Sequence, residues 1–120
     1  MQTSNKKPYD LEERTFLFAK NVRVFIKTLN RTAANIEDIK QVVRSSGSIA
    51  ANYIEANEAL SKKDFVYRVK ISRKEAKESV MWLRLINETN TLTNKKEVEE
   101  LIKEAGELKK ILSAIIEKSK

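Results

Sequence analysis

The chain has 120 residues, which is enough for one domain spanning 1–120 and too few for two. It contains neither cysteine nor histidine, which excludes disulfides and thiolate metal sites and removes the commonest general base and metal ligand. Two glycines and one proline are too few turn residues for an all-β fold, and the net charge of +7 favours anionic partners such as nucleic acids.

The first stretch, Met1–Lys7, is polar and has no apolar run behind it, so it does not resemble a signal peptide. No later segment approaches the roughly 18 successive apolar residues of a membrane span. We therefore expect a cytoplasmic protein without a membrane partner.

Four segments repeat apolar residues at i, i+3, i+4 and i+7, which is the period of an amphipathic helix. They cover about 10–29, 35–60, 61–87 and 94–118. Each has a residue near its start whose side chain can accept a hydrogen bond from a first-turn amide. These residues are Asp10, Asn35, Ser61 and Asn94. Because the connections are short, the pattern predicts an all-α, antiparallel up-down-up-down four-helix bundle.

One apolar stripe on each helix is the predicted core. On helices one and two it comprises Leu11, Phe18, Val22, Phe25, Ile26, Leu29, Ile39, Val42, Val43, Ile49, Ala50 and Tyr53. On helices three and four it comprises Phe65, Val69, Ala76, Val80, Leu83, Ile86, Val98, Leu101, Ala105, Leu108, Leu112, Ile115 and Ile116.

Several apolar residues on helices one and three lie off these stripes when successive residues are placed 100° apart. They are Leu17, Val24, Tyr67, Ile71, Trp82 and Leu85. Tyr and Trp are frequent anchors of protein interfaces, and a monomer seldom exposes this much apolar surface without a function. We predict an interface between copies of the chain; the alternatives are a foreign protein partner or the ends of an irregular bundle.

Helix two also carries small residues that would let another helix approach closely. They are Ser45, Ser48, Asn52 and Ala59, and they form either a second interaction surface or the side that faces helix three. With helices two and three antiparallel, Arg44 and Glu75 come close to level, which predicts an ion pair between the helices. The carboxylates Glu55, Glu58, Glu75 and Glu78 have basic neighbours and no histidine, so we expect no metal site.

Basic residues recur on the outer faces of helices one and three, whereas Lys and Glu are nearly balanced on helix four. The predicted phosphate-binding set is Lys20, Arg23, Lys27, Arg31, Lys70, Arg73, Lys74, Lys77 and Arg84, with Lys63 on the same face of helix three. Such stripes bind phosphates without reading bases, although they also serve simply to keep a protein soluble.

The middle of the chain resembles a known family. The pattern is Ser48-Ile-x-x-Asn-x-x-Glu-Ala on helix two, followed by Arg73-Lys-Glu-Ala-x-Glu and Trp82-Leu on helix three. It is similar to the bacterial four-helix-bundle proteins encoded by intervening sequences of 23S ribosomal RNA genes, over roughly residues 9–118. The resemblance extends to the accessory variability protein of diversity-generating retroelements. That relative is a basic five-fold barrel that binds nucleic acid and works with a reverse transcriptase.

The resemblance implies a homo-oligomer, with five copies by analogy, that binds RNA or DNA and has a reverse transcriptase as a further partner. Without histidine or cysteine the residues themselves indicate no enzyme and no cofactor. The alternative function is a protein–protein scaffold or adaptor with no nucleic-acid role.

Overall fold

Four long helices account for most of the chain. The computed structural model describes residues 10–120, so the polar stretch Met1–Lys7 lies outside the described residues. The helices are α1 (Leu11–Ile26), α2 (Ala33–Asn57), α3 (Lys62–Thr89) and α4 (Lys95–Lys118). The predicted all-α class and the number and order of the helices are confirmed.

The helices pack in the order in which they occur along the chain. α2 packs on α1 and α3, α3 packs on α4, and α4 closes the arrangement against α1. Within residues 10–120 no Cα atom of α1 lies within 8 Å of one of α3, and no Cα atom of α2 lies within 8 Å of one of α4. Short connections and this order give the predicted antiparallel up-down-up-down bundle, with α1 and α3 at opposite corners.

The helix starts follow the prediction at α1 and α3 but differ at α2 and α4, where Asn94 holds the capping position but its side chain makes no capping hydrogen bond. The side chains of Asp10 and Ser61 accept the amide hydrogens of Glu13 and Asp64, at 3.4 and 3.1 Å. At α2 the capping residue is Thr32, whose Oγ1 accepts from the amide of Asn35 at 3.1 Å, so the prediction of Asn35 as the cap was wrong. Thr32 has the extended backbone that a capping residue needs, whereas Asn35 already lies within the helix.

The helix ends differ more from the prediction. α1 ends at Ile26, three residues early, and the chain continues in tight turns in which the amides of Thr28 and Leu29 bond carbonyls three residues back. α2 ends at Asn57, which leaves Leu60 in the turn and almost fully exposed. α3 instead continues to Thr89. Periodicity alone does not mark these ends, because an apolar residue beyond a helix can keep the helical spacing.

The core forms where the four predicted stripes meet. Its largest fully buried side chains include Phe18, Phe25, Ile49, Leu83 and Leu108. A second group of predicted core residues is partly buried and packs against this cluster, namely Ile26, Ile39, Tyr53, Phe65, Val80 and Ile115. Val43 and Ala50 are only half-buried, and the buried Ala19 and Ala56 were not predicted. Since the outer faces are charged, no helix within residues 10–120 is long and apolar enough to cross a membrane.

A polar seam joins α2 to α3. The hydroxyls of Ser45 and Ser79 are 2.7 Å apart in the buried interface, and the Ser72 hydroxyl donates to the carbonyl of Ile49 at 2.7 Å. The predicted pair between Arg44 and Glu75 is present, with Nη2 and Oε1 3.0 Å apart. Ser45 and Asn52, two of the four small residues of α2, therefore serve the contact with α3, which was one of the two alternatives.

Candidate nucleic-acid interface

The outer face of α3 carries a row of exposed lysines. Its members, here called the α3 lysine face, are Lys63, Lys70, Lys74 and Lys77. They point away from the core because α3 buries the opposite side, through residues such as Val69, Ala76 and Leu83. Lys63 and Lys77 are 14 residues apart, so the row extends over roughly 21 Å. None of the four has a hydrogen-bond or ion-pair partner within residues 10–120.

Arg23, one of the predicted phosphate ligands, is instead engaged in holding α1 against α2. Its Nη1 donates to the carbonyl of Ala19 at 3.0 Å and to Oγ of Ser46 at 3.3 Å, and Nη2 donates to the carbonyl of Val43 at 3.2 Å. A Cβ at Gly47 would lie 3.1 Å from Nη2, so glycine leaves room for the guanidinium. Three of its five N–H donors are therefore taken up inside the fold.

Three other arginines form ion pairs with glutamates, two of them between helices and one within α3. Arg14 pairs with Glu104 through two bonds of 2.7 and 2.8 Å, and this hydrogen bonding raises the pKa of Arg14 above its ordinary value. Hydrogen bonding to Glu75 likewise raises the pKa of Arg44. Arg84, at the far end of α3, lies 3.4 Å from Glu88. Because these arginines are paired within the fold, the exposed lysines make up the larger part of the positive charge that is available to a ligand.

The basic residues of α1 form a separate surface. Lys20 and Lys27 are exposed on its outer side, and Arg31 is exposed in the connection to α2. α1 and α3 occupy opposite corners of the bundle and bury their inner faces, so the two basic surfaces face away from each other. Within one copy of the chain, the structure does not bring the predicted α1 and α3 residues together into one site.

The predicted interface residues divide into exposed and half-buried ones. Tyr67, Val24 and Leu85 are 61%, 50% and 41% exposed. Leu17 and Ile71 are half-buried. Trp82 was expected to lie away from the core, but it packs against the core cluster, and its indole nitrogen is buried without a partner within residues 10–120. The 100° spacing misplaced Trp82 because it gives the direction of the Cβ atom, whereas a large ring can reach from there to the core.

Two features near these residues were missed in the sequence. Met81 is an additional exposed apolar residue on α3, at the same helical angle as Lys63. At the α2–α3 turn a recess lies beside Tyr67 and Arg68, and its acidic lining residues are Glu55, Glu58 and Asp64. Only the turn brings these carboxylates together, so no spacing within one helix could reveal them. Within residues 10–120 no three acidic side chains are placed to share a metal ion.

Comparison with known proteins identifies the chain's relatives. The chain is similar to a protein of unknown function from the S23 ribosomal protein family of Bacteroides thetaiotaomicron, whose crystal structure matches with a TM-score of 0.77 and 30% sequence identity. The match covers 88% of this chain and 97% of that one. A search of curated proteins found no match. The family described as 23S rRNA-intervening sequence protein matches residues 8–114. The chain therefore belongs to the 23S rRNA-intervening sequence protein family.

Proposed function

We propose that this protein binds RNA or DNA without base specificity, in the cytoplasm and without catalysing a reaction, and that the α3 lysine face is its main contact with phosphates. The observation that carries the proposal is the row of four exposed lysines without partners among the described residues. Such a row would neutralise the negative charge of phosphates and release the counterions that are condensed on the nucleic acid.

The type of cation supports binding without base specificity. Lysine acts as a compact point charge, whereas bidentate recognition of a base edge commonly uses arginine. Arg14 and Arg44 make bidentate or bridging pairs with glutamates inside the fold, and Arg23 bonds carbonyls of α1 and α2. The family's description, which refers to 23S rRNA intervening sequences, favours RNA as the first probe.

Removing three lysines from the face should weaken binding and its dependence on salt. We expect the triple variant Lys70→Ala, Lys74→Ala, Lys77→Ala to reduce the slope of log K against log salt by about 2 to 3, since each phosphate contact contributes about 0.7 to 0.9. The measurement is fluorescence anisotropy with a labelled RNA and a labelled DNA over a series of salt concentrations.

α4 supplies a matched control. Lys96, Lys103 and Lys110 are also exposed and spaced by seven, but they lie among the glutamates of α4. Changing all three to alanine removes the same charge and should alter the slope by less than about 1. Equal effects of the two triple variants would mean that net charge, and not the α3 lysine face, governs binding. Affinity that does not change with salt would contradict the proposal altogether.

Self-association is a second proposal, supported by the exposed apolar residues of α1 and α3. Leu85 and Met81 lie on α3, and Val24 lies on α1, each at least two-fifths exposed. We propose that they contribute to an interface between copies, with five copies as the number that the family resemblance implies. A reverse-transcriptase partner rests on that resemblance alone. The alternative remains a scaffold whose apolar surface binds a different protein.

Leu85→Glu should dissociate such an assembly. Because Leu85 is 41% exposed, the charge should leave the fold intact, whereas Trp82→Glu would place it against the core. Light scattering after size-exclusion chromatography should give the monomer mass of 13.8 kDa for the variant and a multiple of it for the wild type. Leu60→Glu, at an almost fully exposed leucine in the α2–α3 turn, should not change the mass. Equal masses for wild type and Leu85→Glu would contradict this interface.

A further inference from the structure

Tyr67 is the most exposed aromatic side chain within residues 10–120, at 61%. It lies on α3 between lysines of the α3 lysine face, with Lys63 four residues before it and Lys70 and Lys74 three and seven residues after it. Residues three and four apart are neighbours on a helix surface, and a residue seven apart lies on the same side two turns away. The ring is therefore surrounded along one side by ammonium groups that reach solvent.

Core packing does not account for this placement. Phe65, two residues earlier, packs against the core, as does Val66. Tyr67 lies on the opposite side of the helix from Val69 and Ala76, and its hydroxyl has no hydrogen-bond partner among residues 10–120. An aromatic ring held on a rigid helix, with much of its surface open, is a ready platform for stacking another flat ring.

The other side of Tyr67 has the opposite charge. Glu55, Glu58 and Asp64 line the recess beside it at the α2–α3 turn together with a single cation, Arg68, so the lining is negative on balance. Phosphates would be repelled from that side and attracted to the lysines on the other. Tyr67 thus lies between a positive and a negative surface, so a polyanion would bind on the lysine side of the ring.

We propose that the α3 lysine face takes single-stranded nucleic acid, with a base stacked on Tyr67 and the adjoining phosphates on Lys63, Lys70 and Lys74. This inference rests on the proposed function and specifies its ligand. In a duplex the faces of the bases are covered by their neighbours, whereas in a single strand a base can turn out onto an aromatic side chain. The stacking uses the π-face that all bases share, so it adds affinity without base specificity.

The test compares Tyr67→Ala with Tyr67→Phe on single-stranded RNA and DNA of about 12 nucleotides and on duplexes of the same length. We expect Tyr67→Ala to weaken single-strand binding about 5- to 50-fold, to change duplex binding less than about twofold, and to keep the salt slope within about 1 of wild type. Tyr67→Phe keeps the ring and should remain within about twofold of wild type. Ile54→Ala, at an exposed apolar residue of α2 that has no π-face, is the control and should behave as wild type.

The outcomes separate this inference from the proposed function. The stacking role would be overturned if Tyr67→Ala left the single-strand affinity unchanged, or if it lowered the single-strand and duplex affinities equally. A salt slope that depends on the lysines would still support phosphate binding in either case. A lower assembly mass for Tyr67→Ala in light scattering would also overturn it, because the ring would then belong to an interface between copies. No salt-dependent binding to any probe would overturn the proposed function as well.

Discussion

Replacing Asn35 with alanine is expected to lower the free energy of unfolding by about 2–4 kcal/mol and the melting temperature by roughly 10 °C. The buried Asn35 amide donates to the carbonyl of Asn30 at 2.9 Å and to Oδ1 of Asn90 at 2.8 Å, and it accepts from Nδ2 of Asn90 at 3.0 Å. It thereby joins the α1–α2 connection to the end of α3. Truncation would remove the donor to Oδ1 of Asn90 and open a small cavity, whereas the carbonyl of Asn30 keeps the amide of Thr32 and Nδ2 of Asn90 keeps the carbonyl of Ile86.

Asn87 provides the control for this prediction. It lies one turn before Asn90, but the one hydrogen bond of its side chain among residues 10–120 comes from the exposed Lys95, at 2.9 Å. Asn87→Ala should cost less than about 0.5 kcal/mol in urea or thermal unfolding followed by circular dichroism. Asn90→Ala combined with Asn35→Ala should cost clearly less than the sum of the two single changes, because both remove the same pair. Additive effects would show that the two amides act independently.

Replacing Arg44 with alanine is expected to cost about 2 kcal/mol of stability. Glu75 is only 5% exposed, and its two carboxylate oxygens accept from Nη1 and Nη2 of Arg44 at 3.4 and 3.0 Å. Removing the arginine leaves a buried carboxylate without its cation, which costs about 3–5 kcal/mol for a fully buried pair. The smaller figure applies here because the Arg44 side chain is 53% exposed and water screens part of the interaction.

A second change should restore most of this loss. In Arg44→Ala combined with Glu75→Gln no charge remains buried, so we expect a stability within about 1 kcal/mol of wild type in urea unfolding. Arg84→Ala breaks an ion pair with Glu88 in which both side chains are 63% exposed, and it should cost less than about 0.5 kcal/mol. If Arg44→Ala were as mild as Arg84→Ala, the pair would have no structural role.

The residues that carry the family resemblance lie mainly in this α2–α3 contact. Ile49, Ala56, Glu75 and Ala76 are buried, and Asn52 accepts from Arg68 at 3.3 Å. Glu78 completes the contact by lying 3.3 Å from Arg44. The signature pattern of this chain thus describes how two helices fit together. The exposed lysines and Tyr67, which support the proposed function, lie on the other side of α3, and Lys74 is the member of that face that also belongs to the signature pattern.

The sequence by itself determined the number of helices, their order and most of the core. These properties depend on local periodicity, since a helix brings residues three and four apart onto one side whatever lies around it. It also predicted the Arg44–Glu75 pair, because short connections make neighbouring helices antiparallel and fix which residues are level. Boundaries were less accurate: α1 and α2 end three residues before the prediction, where turn residues keep the apolar spacing.

Only the tertiary structure decided what the polar and large aromatic side chains do. Asn35 has the residue type and position expected of a helix cap, yet its side chain forms a hydrogen bond with Asn90, 55 positions away. In the sequence Arg23 has the position of a basic residue on an outer face, but in the structure it donates to the carbonyl of Val43 on α2. Trp82 turns toward the core, whereas Tyr67 stays exposed beside a recess that exists only where α2 and α3 meet. Long side chains can reach several neighbours, and which neighbour is present depends on how the helices pack.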